Sequence, residues 1–173
     1  MYENRKNREY FILKGGVSLT AKFIDKNLPI FYQHKSLIKA CCAVLGNMAI
    51  TNDNQILLWV IGAIPNIINL VDDLTKIPEN EEPPPGQVIA AEYSLFALWM
   101  ASIDCPDVQD ELMKRNFIDM ALVIIHRHSN NINLIAFTIA IIRRLGQNSK
   151  YKDLIAKNFL YTLITFLKLF YES

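Results

Sequence analysis

An all-α fold is expected for this chain of 173 residues. Helix breakers are scarce: there are six glycines and seven prolines, and four of the prolines crowd into residues 78–85. Almost everything else is free to be helical. An internal pattern then gives the helices an order. Counting from Gly62, apolar residues fall at +2, +5, +6, +8 and +9 (Ile64, Ile67, Ile68, Leu70 and Val71), and similar patterns follow Gly15, Asn116 and Asn158. This is the spacing of one buried helix face, and its return along the chain marks a repeated unit. Three longer segments, 36–49, 87–102 and 131–146, are apolar on most faces and need burial between neighbours.

Composition narrows the class. The chain is 51% hydrophobic and 20% charged, which supports a real core and excludes a disordered chain. A net charge of +1 gives no electrostatic reason to seek nucleic acid, so none is expected among the partners. The opening MYENRKNREY is charged and carries no secretory signal pattern. Cys41, Cys42 and Cys105 are odd in number and lack metal-ligand spacing, as expected of thiols in a reducing compartment, cytoplasmic or nuclear.

The first unit (1–50) is partial. Gly15 marks its corner, Tyr10, Phe11, Phe31 and Tyr32 are expected to pack it, and SLIKACCAVLGNMA (36–49) closes it. Adjacent Cys41 and Cys42 on that helix point about 100° apart, which suits packing better than a disulfide.

The second unit (51–104) opens with NDNQILLWVI, capped by Asn52 or Asp53 and burying Trp59. The apolar run 56–71 has 16 residues, short of the ~18 of a membrane span, and Pro65, Asn66 and Asn69 interrupt it. No span is expected. Gly62 supplies a left-handed residue at the end of one helix, and Pro65 lies in the first turn of the next, where its missing N–H costs nothing. The stretch therefore reads as two helices meeting at a sharp corner. IPENEEPPPGQ (77–87) reads as an exposed, acidic, proline-rich insertion before the long helix QVIAAEYSLFALWMAS.

The third unit (105–147) begins with PDVQDELMKR, opened by Pro106 and Asp107, turns at Asn116 and ends with helix 131–146. The last unit (148–173) is partial: Ser149 is expected to cap SKYKDLIAK and Asn158 to turn the chain. Its apolar tail, FLYTLITFLKLFYES, would expose a patch unless it packs on something. Missing flanking repeats or self-association through that tail are the expectations.

Two phrases carry a family resemblance. Gly62-Ala63-Ile64-Pro65 followed by Asn66-Ile67-Ile68-Asn69-Leu70-Val71 resembles the turn and second helix of the armadillo repeat, and Val44-Leu45-Gly46-Asn47-Met48-Ala49 resembles the end of its third helix. The likeness is best over 36–76 and covers most of the chain; the related HEAT repeat is its competitor. It implies one domain over 1–173, an armadillo-like α-solenoid that winds three-helix repeats into a right-handed superhelix. Third helices line the concave groove of such a stack, where an extended protein or peptide segment is held.

In the best-known members an Asn on each third helix, with a Trp one turn before it, grips the bound backbone. Asn47 matches that Asn, and the next units offer Met100 and Arg144 there. One turn earlier stand Ala43, Phe96 and Ala140. The resemblance thus implies a non-enzymatic scaffold or adaptor with groove candidates Asn47, Phe96, Trp99, Met100, Arg143 and Arg144. The alternative is an importin-α-like nuclear transport adaptor for a basic signal peptide, whose ladder is kept here at one rung of three.

No catalytic residue, metal ligand or cofactor is expected. GxxxxGK, GxGxxG, HExxH, paired CxxC and GxSxG are all missing from the sequence. His126 and His128, two residues apart, point to opposite sides of a helix and cannot share a metal. They read as a solvated helix end. Asp72, Asp73, Glu79, Glu81 and Glu82 have no base, nucleophile or oxyanion donor spaced with them.

Overall fold

A computed structural model describes residues 2–26, 28–160 and 164. Among the described residues all regular structure is helical: α1 (Tyr2–Leu13), α2 (Gly16–Lys26), α3 (Leu28–Phe31), α4 (Lys35–Met48), α5 (Asn52–Val60), α6 (Ala63–Thr75), α7 (Pro85–Ala101), α8 (Pro106–Lys114), α9 (Phe117–Arg127), α10 (Ile132–Gln147) and α11 (Lys152–Asn158).

Corners fall where the sequence permits them. Gly15 (φ 72°), Gly62 (φ 74°) and Asn116 (φ 57°) are left-handed, and each immediately precedes a helix, α2, α6 or α9. Glycine has no Cβ to clash there, and asparagine is among the few other residues that visit this region readily. Asn158 behaves differently. It is the last residue of α11, and the chain leaves the helix at Phe159 (φ −107°). Leu163, Phe166 and Leu167, the apolar positions read after it, lie outside the described residues. A further left-handed residue, Asp104 (φ 51°), turns the chain into α8 just before Pro106.

Two expected caps are replaced. Thr51 precedes α5 without a side-chain cap bond, so Asn52 and Asp53 are already helical. Tyr151, not Ser149, precedes α11. Asn131 does cap α10, its Oδ1 accepting the Leu134 N–H at 3.1 Å.

The helices lie in rows. α7 packs between α4 and α10 and also rests on α6; α6 in turn touches α2 on one side and α9 on the other, and α8 packs against α5. The core fills the space between the first two rows. α6 contributes Ile64, Ile67, Ile68, Leu70, Val71 and Leu74, all buried, facing Leu95 and Leu98 of α7. Small residues let α4 approach α7. A Cβ on Gly46 would lie 2.6 Å from the Phe96 ring and 3.2 Å from the Ala97 Cα, so only glycine fits that contact without repacking.

Two buried glutamines join successive helices. Gln55 Nε2 donates to the carbonyls of Ala49 and Met100, both at 3.0 Å, tying the end of α4 to the last turn of α7. Gln109 Nε2 donates to the Ser102 carbonyl at 2.8 Å, while its Oε1 accepts from Asn148 Nδ2 at 2.7 Å. The end of α7 is thereby tied to the end of α10. Helix C-termini leave carbonyls without intrahelical partners; Gln55 donates to two such carbonyls and Gln109 to one, reaching α10 through the Asn148 side chain.

Trp59 corrects the sequence reading. It is 38% exposed, with Ile56 and Val60 beside it on the open face of α5. That short helix buries only Gln55 and Leu58, so its apolar pattern overstates its burial. Tyr10 is also exposed, whereas Phe31 is buried and Phe11 and Tyr32 are half-buried against the core. The loop before α7 is exposed at Glu79, Glu81 and Glu82, but Pro85, Gly86 and Gln87 belong to the helix. No single helix among the described residues is long and apolar enough to cross a membrane. The pair α5 and α6 has the composition only as two helices bent by 76°, and α6 is a core helix.

Candidate partner-binding surface

The row α4–α7–α10 carries the candidates named from sequence. α7 buries Ala90, Ala91, Ser94, Leu95, Ala97 and Leu98, and this leaves an outward stripe at positions 92, 93, 96, 99 and 100. Those positions follow the three- and four-residue steps of one helix face. The stripe is Glu92, Tyr93, Phe96, Trp99 and Met100, all half-buried.

Neighbouring helices complete it. Phe137 of α10 meets Phe96 edge-on with ring centres 5.7 Å apart, and stacks on Trp99 at 5.9 Å. Phe96 and Trp99 themselves meet edge-on at 6.3 Å. Three aromatic rings from two helices thus form one connected cluster with a half-open face. Such packing fixes the rings in place before any ligand arrives, which lowers the entropy cost of using them. On the other flank, Lys39 of α4 places its ammonium 5.8 Å from the Tyr93 ring centre. Asn133 Nδ2 donates to Glu92 Oε1 at 3.0 Å, linking α10 to α7 below the aromatic cluster. Glu92, Tyr93, Phe96, Asn133 and Phe137 enclose a cleft of about 270 Å³.

Asn47 is exposed on α4, next to the glycine that contacts Phe96. Arg144 is half-exposed two turns beyond Phe137 on α10, so the two share a face; its Nη1 donates to Gln147 Oε1 at 3.3 Å. Arg143 does not join them. It lines a separate apolar cleft of about 310 Å³ between α10 and α11, with Ile139, Ile142, Ile155 and Phe159. Of the candidates, the structure joins Phe96 and Trp99 through Phe137; Met100 continues their stripe on α7, Asn47 is exposed on α4, Arg144 follows the helix face of Phe137, and Arg143 lines the separate cleft. Sequence reasoning missed Tyr93, Phe137 and Lys39. A signal existed: the shift that carries Met100 onto Arg144 also carries Tyr93 onto Phe137.

Elsewhere the polar groups largely satisfy one another. A cleft of about 430 Å³ between α6 and α9 has Asn69, Asp72, Arg115 and Asp119 in its lining. Arg115 is already held by Glu111 at 2.6 Å and Asn69 at 3.1 Å. Arg127 Nη1 donates to the Ile77 carbonyl at 2.6 Å, pinning the start of the acidic loop to the end of α9. His126 is exposed and His128 half-buried there; burial, then Arg127, pushes the His128 imidazole below its usual value.

None of the three thiols has a depressed pKa. Burial pushes Cys42 up to about 12, against the opposing bond to Ser94, and raises Cys41 and Cys105 as well. A thiolate nucleophile needs the opposite environment. Among the described residues no three His, Cys, Asp or Glu side chains converge as a metal site would need. What the row α4–α7–α10 offers is contact area and hydrogen bonds. Comparison with family models, curated proteins and solved structures finds no match for the chain.

Proposed function

We propose that the chain is a non-enzymatic interaction scaffold of armadillo-like architecture, which holds an extended partner segment across α4, α7 and α10. The connected rings of Phe96, Trp99 and Phe137 carry this reading. Aromatic side chains fixed on a half-open surface are the commonest anchors of protein interfaces, and a single one can contribute more than about 1 kcal/mol. In this reading the exposed Asn47 bonds the partner's backbone, and Met100 and Arg144 add contacts along the same row.

The architecture is supported by the same facts. Long helices stand side by side in one row and corner-fed helices in a second, with left-handed residues at Gly15, Gly62 and Asn116. Gln55 and Gln109 are separated by the same 54 residues that carry Gly62 onto Asn116, and each is buried and bonded to the end of a long helix. A repeated wedge stacked in this manner turns into a right-handed solenoid with a binding face formed by one row.

The test is affinity capture with the intact chain beside Asn47→Ala and Trp99→Ala variants of unchanged helicity. Partners held by this surface drop out of both variant samples. Retention of every partner by both variants would show that the row is not the binding face.

A further inference from the structure

We infer that the cleft between α10 and α11 is a second interaction surface, which seats an amphipathic helix of another protein with carboxylates beside its apolar stripe. This rests on the repeat reading above and not on the aromatic stripe. The alignment that carries Asn47 onto Met100 and Arg144 also carries Gly46 onto Trp99 and Arg143, and Cys42 onto Leu95 and Ile139. The first two of these faces each hold the next long helix. Gly46 lies against the Phe96 ring of α7, and Cys42 Sγ is 3.8 Å from Ser94 Oγ. Trp99 stacks on Phe137 of α10. The third face carries no further long helix among the described residues, where α10 packs on α7, α9 and the short α11. In its place is the cleft of about 310 Å³, lined by Ile139, Ile142, Ile155 and Phe159. Covering such a face with a helix is how stacked repeats bury their core.

Charge selects the kind of helix. Arg143 of α10 and Lys152 of α11 both line the cleft, and among the described residues no carboxylate does. Both cations are exposed, and neither is held in an ion pair among the described residues. Asp110, at the start of α11, is already taken by Lys150 and Tyr151. Asp153 follows Lys152 in sequence but is not part of the lining. A helix with carboxylates on both sides of its apolar stripe meets a cation from each wall while it covers the apolar floor.

A second copy of the chain fits less well. α4, at the other end of the row, carries Lys35 and Lys39, so copies stacked end to end would set cations against cations. Two α10 faces laid together would do the same with Arg143 and Lys152.

The probes are two fluorescein-labelled helical peptides as long as α10, 16 residues, with one leucine and alanine stripe flanked by glutamates in the first and by lysines in the second. Anisotropy titrations with the intact chain should show binding of the glutamate peptide and none of the lysine peptide. Arg143→Glu plus Lys152→Glu should weaken the first about tenfold or more and admit the second, with far-UV circular dichroism unchanged. Trp99→Ala should leave both results in place. Equal binding of the two peptides, or loss with Trp99→Ala and indifference to the charge reversals, would overturn the assignment. Binding of neither would overturn it as well, and would point to the chain itself filling the cleft. Self-association in sedimentation velocity that the glutamate peptide fails to displace and the charge reversals abolish would make a second copy the occupant instead. None of these outcomes bears on partners captured by the aromatic stripe.

Discussion

Replacing Gln55 by Met tests how successive helices are joined. The side chain is buried, 3% exposed, and its amide holds the carbonyls of Ala49 and Met100 at 3.0 Å each. Methionine keeps the stem and nearly the volume, so cavity formation is a small term. Two hydrogen bonds at a net of about 1 kcal/mol each are lost, and the abandoned carbonyls add a desolvation cost. Part of that is returned, because Gln55 Oε1 is itself buried without a partner. The balance is a destabilisation of about 2 kcal/mol. For a chain of this size that corresponds to a fall in Tm of about 4–8 °C. Thermal and urea denaturation followed by far-UV circular dichroism measure it, with Asn47→Ala as the exposed control that should change little. Gln109→Met, which abandons the Ser102 carbonyl and the Asn148 amide, should fall by a similar amount. A Gln55→Met protein melting within about 1 °C of the parent would refute the clamp.

Other expectations follow from single contacts. Gly86→Ala should be strongly destabilising, because a Cβ there runs into the Tyr32 carbonyl oxygen; Gly62→Ala meets no atom and should cost only the left-handed backbone strain, about 1–2 kcal/mol. Equal melting curves for these two variants would contradict that ranking. The Tyr32 hydroxyl donates to Asp73 Oδ2 at 2.7 Å, and burial first, then Asp73, holds the phenol above its ordinary range. A raised folded pKa stabilises fully below the unfolded value near 10 and is lost above it. Urea midpoints should therefore decline with pH above about 10 more steeply in the parent than in Tyr32→Phe, and parallel curves would argue against the bond. A disulfide thiol reagent applied to the folded chain should modify Cys41 first, with buried Cys42 and Cys105 reacting only on unfolding. Rapid reaction of all three would mean a looser core.

The helices were largely legible because helix burial writes a period into the sequence. The segments 36–49, 87–102 and 131–146 correspond to α4, α7 and α10 within two residues at each end. Corners at Gly15, Gly62 and Asn116 were legible because few residues tolerate positive φ. Trp59 was misread because an apolar residue on a short helix looks the same whether a neighbour covers it or not; here α8 covers another face of α5. Ser149 has the chemistry of a cap, but Asn148 takes the turn instead, its Oδ1 accepting from Lys150 N at 3.0 Å. The candidate surface was half legible. Register along one helix placed Phe96, Trp99 and Met100 together, whereas the contact of Phe96 with Phe137, 41 residues away, depends on how closely α10 approaches α7. Periodicity within one helix does not set that distance. Adjacent arginines diverge for the simplest reason: neighbours on a helix are about 100° apart, so Arg144 keeps the helix face of Phe137 while Arg143 lines the cleft toward α11.

The account rests on one face of one helix row being where a partner lies, and photo-crosslinking addresses it directly. A photoreactive phenylalanine analogue is placed at Phe137 in one sample and at Ile56, on the open side of α5, in another. Each is irradiated with the same captured partner. Crosslinks from position 137 and none from position 56 are expected. Crosslinks from 56 with none from 137 would contradict the claim.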